Sequence, residues 1–224
     1  MGEIAGNIEK ITGSLPSGVS LIIVSKTRKP EEILEAYNCG HRLFGENRVQ
    51  ELLSKKDLLP ADIKWHIIGH LQTNKVRYIV PFVSMIESID SLRLLDVVQN
   101  ESEKAGKVTD VLLQVYIATE ETKFGFDISE IEQTDWKTVT ESRPNVRIRG
   151  LMGMASFTDD EELVRSEFKK LRSLFLRLKE QYFREIYYFS EVSMGMSGDW
   201  RTAVEEGSTM IRVGTAVFGQ RKYS

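Results

Sequence analysis

The sequence predicts an α/β fold, a single (β/α)8 TIM barrel with an extra N-terminal helix. Eight short apolar runs alternate with helix-like segments along the 224 residues, with no linker or low-complexity break. The segments between the runs are too long for hairpins, so the strands pair in parallel through crossover connections. The last two runs end in turns rich in glycine and hydroxyl groups, the place where a barrel often holds a phosphate. An open doubly wound sheet is the competing arrangement.

The N-terminal stretch reads as an amphipathic helix through Ile4, Ile8 and Ile11. VSLIIVSK, from Val19 to Lys26, reads as a strand buried on both faces, with Lys26 at its carboxyl end. Pro30 suits the first turn of the next helix, and Gly40 falls where that helix stops. HRLFGEN and VQELLSKK form the second strand and helix, and IKWHIIG and LQTNKVRYIV the third pair, closed by Pro81. SMIESI is the fourth strand, after which Asp90 or Ser91 can cap a helix ending near Gly106. DVLLQVYIA is the fifth strand, helix follows in ISEIEQTDW, and VRIRGLMGM is the sixth. Thr158 and Glu161 form a capping-box pattern before a long helix carrying Val164, Phe168, Leu171, Phe175, Leu178 and Tyr182. IYYFSEVS is the seventh strand, DWRTAVEE its helix, STMIRVG the eighth strand, and TAVFG closes the chain.

This length fits one domain, residues 1–224. Thirty basic against thirty-three acidic residues give a net charge of -3, so no general field attracts nucleic acid or an anionic membrane. Cys39 is the sole cysteine, which excludes an intramolecular disulfide and makes a reducing cytoplasm the expected compartment. No apolar stretch is long enough to span a bilayer, and the N-terminus has no signal-peptide core.

Lys26 can be an ordinary hydrated ammonium, or a partly desolvated nucleophile for Schiff-base chemistry. The seventh strand ends in Ser193-Met194-Gly195-Met196-Ser197-Gly198 and the eighth in Arg212-Val213-Gly214-Thr215, each running into a helix start whose free amides favour an anion. Each turn alone could merely satisfy backbone geometry. Together, after strands seven and eight, they favour a phosphate site.

VSKT at 24–27, FGENRVQE at 44–51, WHIIGHLQTNK at 65–75, TKFGF at 122–126, GLMGM at 150–154 and SMGMSGDWRTAVEEGSTMIRVGTAVFG at 193–219 resemble the pyridoxal phosphate homeostasis protein family. Its fold is similar to the barrel domain of alanine racemase. The resemblance covers essentially the whole chain and implies pyridoxal 5'-phosphate as cofactor, held by Lys26 as an internal aldimine. It implies that Ser197, Gly214 and Thr215 hold the phosphate, with Ser193 nearby, and that Arg212 faces the pyridine nitrogen. An arginine there stays charged and donates, leaving that nitrogen an unprotonated acceptor and the ring a weaker electron sink. Asn47 is either a contact to the cofactor ring or a helix cap for VQELL.

His66 and His70 stand four apart, but WHIIG reads as a strand, and His66 is better taken as a packed residue near the barrel mouth than as a metal ligand, with a cofactor-side role as the other reading. Met152, Met154, Met194 and Met196 read as lining and core. Lys75 and Lys123 read as solvated, with added positive charge at the mouth as the other reading.

Two-base racemisation needs a proton acceptor on each face, and Lys26 serves only one. The racemase supplies its second base, a tyrosine, from a further C-terminal domain and a partner subunit; a chain ending at Ser224 is expected to lack that domain, with Tyr116 or Tyr223 as the remaining candidates. The implied role is therefore binding pyridoxal phosphate in vitamin B6 and amino-acid homeostasis, with delivery to apoenzymes, as a monomer without robust catalysis. A weak pyridoxal-phosphate-dependent amino-acid racemase is the alternative. A class I aldolase is a more distant one.

Overall fold

A computed structural model of the chain describes residues 2–119 and 124–220. Eight parallel strands close into a barrel in sequence order: β1 (Ser20–Val24), β2 (Leu43–Glu46), β3 (Lys64–Ile67), β4 (Met85–Ile89), β5 (Thr109–Tyr116), β6 (Val146–Met154), β7 (Glu191–Ser193) and β8 (Met210–Val213). β8 pairs back onto β1, with Ile22 opposite Arg212, so no sheet edge is left open. Before β1 lies α1 (Glu3–Thr12), whose buried face is Ile4, Ile8 and Ile11.

The crossovers carry α2 (Pro30–Asn38), α3 (Val49–Lys55), the single-turn α4 (Val76–Ile79), α5 (Leu92–Lys104), α6 (Ile128–Gln133), α7 (Trp136–Glu141), α8 (Glu161–Gln181), α9 (Trp200–Glu205) and α10 (Thr215–Phe218). Pro30 stands at the first turn of α2, and Ser91 caps α5 by accepting from the Leu94 amide. Among the described residues no helix is long and apolar enough to cross a membrane.

Three local readings change. The start of α8 is capped by Asp160, which accepts from the Leu163 amide, while Thr158 accepts from the Asp160 amide one step earlier. Lys26 lies beyond the end of β1, in a turn. The seventh strand is only three residues long: Phe189 is instead drawn into a stack with Phe183 and Phe175, at centroid distances of 4.0 and 4.9 Å. Aromatic residues favour strands because they pack well, and here packing beneath α8 satisfies the same need outside the sheet.

The core has two parts. Most of it lies between strands and helices, around residues such as Ile33, Leu52, Leu95, Trp136 and Phe168. Inside the barrel, Ile22, Met85, Leu112, Met152 and Met210 form an apolar floor. Two residues further along β4 and β8, on the same faces, stand Glu87 and Arg212. The barrel interior thus changes from apolar to charged toward the strands' carboxyl ends, where the site lies.

Candidate cofactor site

A cavity of about 430 Å3 opens at the carboxyl ends of the strands, within the roughly 300–1,000 Å3 usual for small-molecule sites. Its lining includes Lys26 after β1, Asn47 after β2 and Ile68 after β3, then the segments after β6, β7 and β8. Lys26, Asn47, Ser197, Arg212, Gly214 and Thr215 are therefore brought together from four separate strand ends. Ser193 is not among the lining residues and is fully buried below them.

The phosphate-like side is built from the turns after β7 and β8. Gly214 precedes α10, and the Ser197 hydroxyl accepts from the amides of Gly214 and Ala216 at 3.3 and 3.4 Å. These long contacts hold one polar oxygen where two amides converge, an arrangement suited to an anion's oxygen. Behind it, α10 is tied down at its far end. Asn7 donates to the Val217 carbonyl at 3.0 Å and Arg28 to the Gly219 carbonyl at 2.6 Å.

On β8 itself, two residues before Gly214, Arg212 is 3% exposed and donates to Ser193 Oγ at 2.6 Å and to the Gly153 carbonyl at 2.9 Å. Ser193 in turn donates to Glu87 at 2.6 Å, and His66 Nδ1 meets the other oxygen of Glu87 at 2.6 Å. Burial would push the Glu87 carboxyl up, but His66, Arg212 and Ser193 together hold it below its usual range. Burial lowers the Arg212 pKa, partly opposed by Glu87 and Asp199, yet a guanidinium starts high enough to remain charged. Asp199, with its pKa raised by burial, accepts from the Met196 amide at 2.5 Å.

The Asn47 side chain supplies no cap to α3, whose N-cap position is Arg48. Its Oδ1 is buried without a hydrogen-bond partner, a cost that a ligand donor reaching it would remove. Gly69 makes the placement possible, since a Cβ there would lie 2.6 Å from the Asn47 carbonyl oxygen. A lysine amine, a fixed cation, an unsatisfied amide oxygen and a turn where two backbone amides converge fit the aldehyde, ring and phosphate of pyridoxal phosphate.

His66 is 4% exposed and packed in β3, whereas His70 is bonded to Asp90 at 2.9 Å and stacked on Phe124 at 3.9 Å. Among the described residues no cluster of three or more His, Cys, Asp or Glu could hold a metal. Met152 and Met194 are buried, while Met154 and Met196 line the cavity. Lys75 lies beside the Tyr78 ring rather than among the lining residues. Lys123, Tyr223 and the first residues of the TKFGF segment lie outside the described residues.

Two supports escape the sequence reading. Glu87 could have been suspected as the one charged residue, two residues after Met85, in the short strand MIESI. Glu167 sits on the buried face of α8 beside Phe168 and accepts from the Ser156 amide and hydroxyl at 2.7 and 2.8 Å, fixing a cavity wall. Its signal was an acid inside an apolar stripe.

The sequence model of the alanine racemase N-terminal domain matches residues 1–222. A pyridoxal phosphate homeostasis protein of Aquifex aeolicus is 43% identical over 204 residues, covering 91% of this chain and 87% of its own. PipY of Synechococcus elongatus PCC7942, solved without and with pyridoxal phosphate bound, superposes with TM-scores of 0.90 and 0.87 at 36% and 35% identity. Each superposition covers 96% of this chain and 100% of PipY. Alanine racemase of Clostridium difficile 630 shares the fold, with a TM-score of 0.78 at 12% identity, over 99% of this chain and 57% of the racemase. With this identity along nearly its full length, the chain belongs to the pyridoxal phosphate homeostasis protein family, whose barrel is that of the alanine racemase N-terminal domain.

Proposed function

We propose that the chain is a single cytoplasmic barrel domain that binds pyridoxal 5'-phosphate and acts in vitamin B6 and amino-acid homeostasis rather than in robust catalysis. The observation that carries this reading is the convergence of Lys26, Asn47, Arg212 and the Ser197, Gly214 and Thr215 turns on one cavity. When bound, the cofactor supplies an aldehyde that condenses with an amine, releasing water, and a ring that draws electrons. Lys26 is the covalent anchor in this reading. Ser197, Gly214 and Thr215 bind the phosphate, and Asn47 accepts from a donor on the ring side. Arg212 donates toward the ring nitrogen, with Ser193 beneath it as an orienting contact rather than a phosphate ligand.

A fixed, charged arginine keeps protons away from that ring position, which disfavours carbanion chemistry and suits holding the cofactor. Tyr116 is not among the lining residues, so the described cavity offers no tyrosine to act opposite Lys26. Reversible covalent holding limits the free aldehyde and allows its transfer to apoenzymes.

The test is the visible absorption of the purified protein on adding pyridoxal phosphate and then borohydride, with Lys26→Ala alongside. A visible band absent from the variant, and a reduced adduct mapped to Lys26 by peptide mass, are the expected results. No band and no adduct in the wild type would leave a phosphate-binding barrel of another ligand. Turnover of L- or D-amino acids that vanishes in Lys26→Ala would instead establish the racemase.

A further inference from the structure

The turn that carries Lys26 rests on a buried ion cluster outside the cavity lining. Thr27 has φ 63°, in the left-handed region that a β-branched residue rarely occupies. Its backbone amide donates to Glu51 Oε1. The same oxygen accepts from Lys55 Nζ at 2.5 Å, and Lys55 Nζ also donates to the Ser25 carbonyl and to Glu46 Oε1, both at 2.9 Å. Ser25 Oγ donates to that Glu46 oxygen at 2.7 Å. Lys55 is 6% exposed and Glu46 is fully buried, while Glu51 is partly exposed at the rim, so each of the three ammonium donors has an acceptor.

Two of those acceptors fix the backbone on either side of Lys26. The Ser25 carbonyl lies just before it, and Glu51 holds the amide just after it. Glu51 and Lys55 lie one turn apart on α3, so a single short helix grips both sides of the turn. A purely structural pair would require no strained residue beside the reactive lysine; strain held by surrounding contacts is a mark of a pre-organised site.

Resting on the reading of Lys26 as the anchor, we infer that Glu51 and Lys55 are positioning residues. They hold Thr27 in its left-handed form and thereby aim Lys26 into the cavity. Apparent affinity for the cofactor then scales with the fraction of turns in the competent form.

The test uses Glu51→Met, which removes the acceptor, and Glu51→Gln, which keeps a carbonyl oxygen for the Thr27 amide. Glu51→Ala repeats the loss of the acceptor should methionine not be accommodated. Thr27→Gly is made alone and combined with the Met variant, because glycine enters positive φ without help. One readout needs no cofactor: hydrogen exchange at the Thr27 amide. The other is the dissociation constant for pyridoxal phosphate from the visible titration. Glu51→Met is expected to speed Thr27 exchange and to weaken binding about tenfold, the scale of the left-handed penalty. Glu51→Gln is expected to behave as wild type, and adding Thr27→Gly to the Met variant to recover most of the affinity. Unchanged exchange and affinity in folded Glu51→Met, or no recovery on adding Thr27→Gly, would overturn the assignment. If wild type itself forms no adduct, the anchor reading fails, while the exchange comparison still decides whether Glu51 holds the turn.

Discussion

Arg212 Nη1 and Glu87 Oε2 stand 3.9 Å apart inside the barrel, with the Ser193 hydroxyl between them. Both ions are stripped of water, and their attraction offsets that loss only because the surrounding polar groups are satisfied. His66 completes Glu87 and the Gly153 carbonyl completes Arg212. The cation facing the cavity is thus oriented from below by residues on β3, β4, β6 and β7.

Glu87→Gln keeps the shape but takes from the buried Arg212 its nearer counter-charge, leaving only the weaker influence of Asp199. Breaking one side of a buried pair costs about 3–5 kcal/mol, and an isosteric neutral partner places the expected loss near the lower end. Urea denaturation measures it; a loss below about 0.5 kcal/mol would show that the pair does not hold the layer together.

The same pair predicts acid sensitivity. Against the upward push of burial, His66, Arg212 and Ser193 hold the folded Glu87 pKa below its ordinary 4.5. Its contribution is therefore complete above that ordinary value and is lost as pH falls through the lower folded value. The stability gap between wild type and Glu87→Gln should be largest near neutrality and narrow below about pH 4.5. Thermal unfolding across an acidic pH series checks this, and a gap that widens with acid would contradict it.

Thr215→Val removes a hydroxyl at the phosphate-like turn without changing shape. Binding of pyridoxal phosphate should weaken by about 1–3 kcal/mol, with stability nearly unchanged because Thr215 is exposed. Titration of the visible band reads the change, and unchanged affinity would remove this hydroxyl from the site.

Gly69→Ala places a methyl group 2.6 Å from the Asn47 carbonyl oxygen and 2.8 Å from its Cα. The backbone must move to admit it, so stability should fall by about 1–3 kcal/mol as in other overpacked sites. Cofactor affinity should fall further than in a control that lowers stability equally on the far side of the barrel. Equal losses in the two would separate Asn47 from ligand binding.

Much of this was legible locally. Apolar runs and helical periodicity reported eight strand-helix units because each element buries one face and writes that face into its own spacing. The lysine after β1 and the glycine turns after β7 and β8 were visible because loop chemistry is also local. IYYFS misled because aromatic packing beneath α8 uses the residues that would suit a strand. Asn47 was ambiguous because a cap and a ligand contact require the same side chain at the same boundary; the structure removes the cap, with Arg48 at the N-cap position, and leaves the Asn47 amide oxygen buried without a partner.

The sequence by itself determined the order of the elements, the barrel class and the family to which the motifs belong. The tertiary structure decided which charges meet. Glu87 finds Arg212 across a closed barrel, and Lys55 joins Ser25, Glu46 and Glu51 beneath the turn of Lys26. Such pairings have no characteristic spacing along the chain, because closure of the sheet sets the distances and removal of water makes those distances matter.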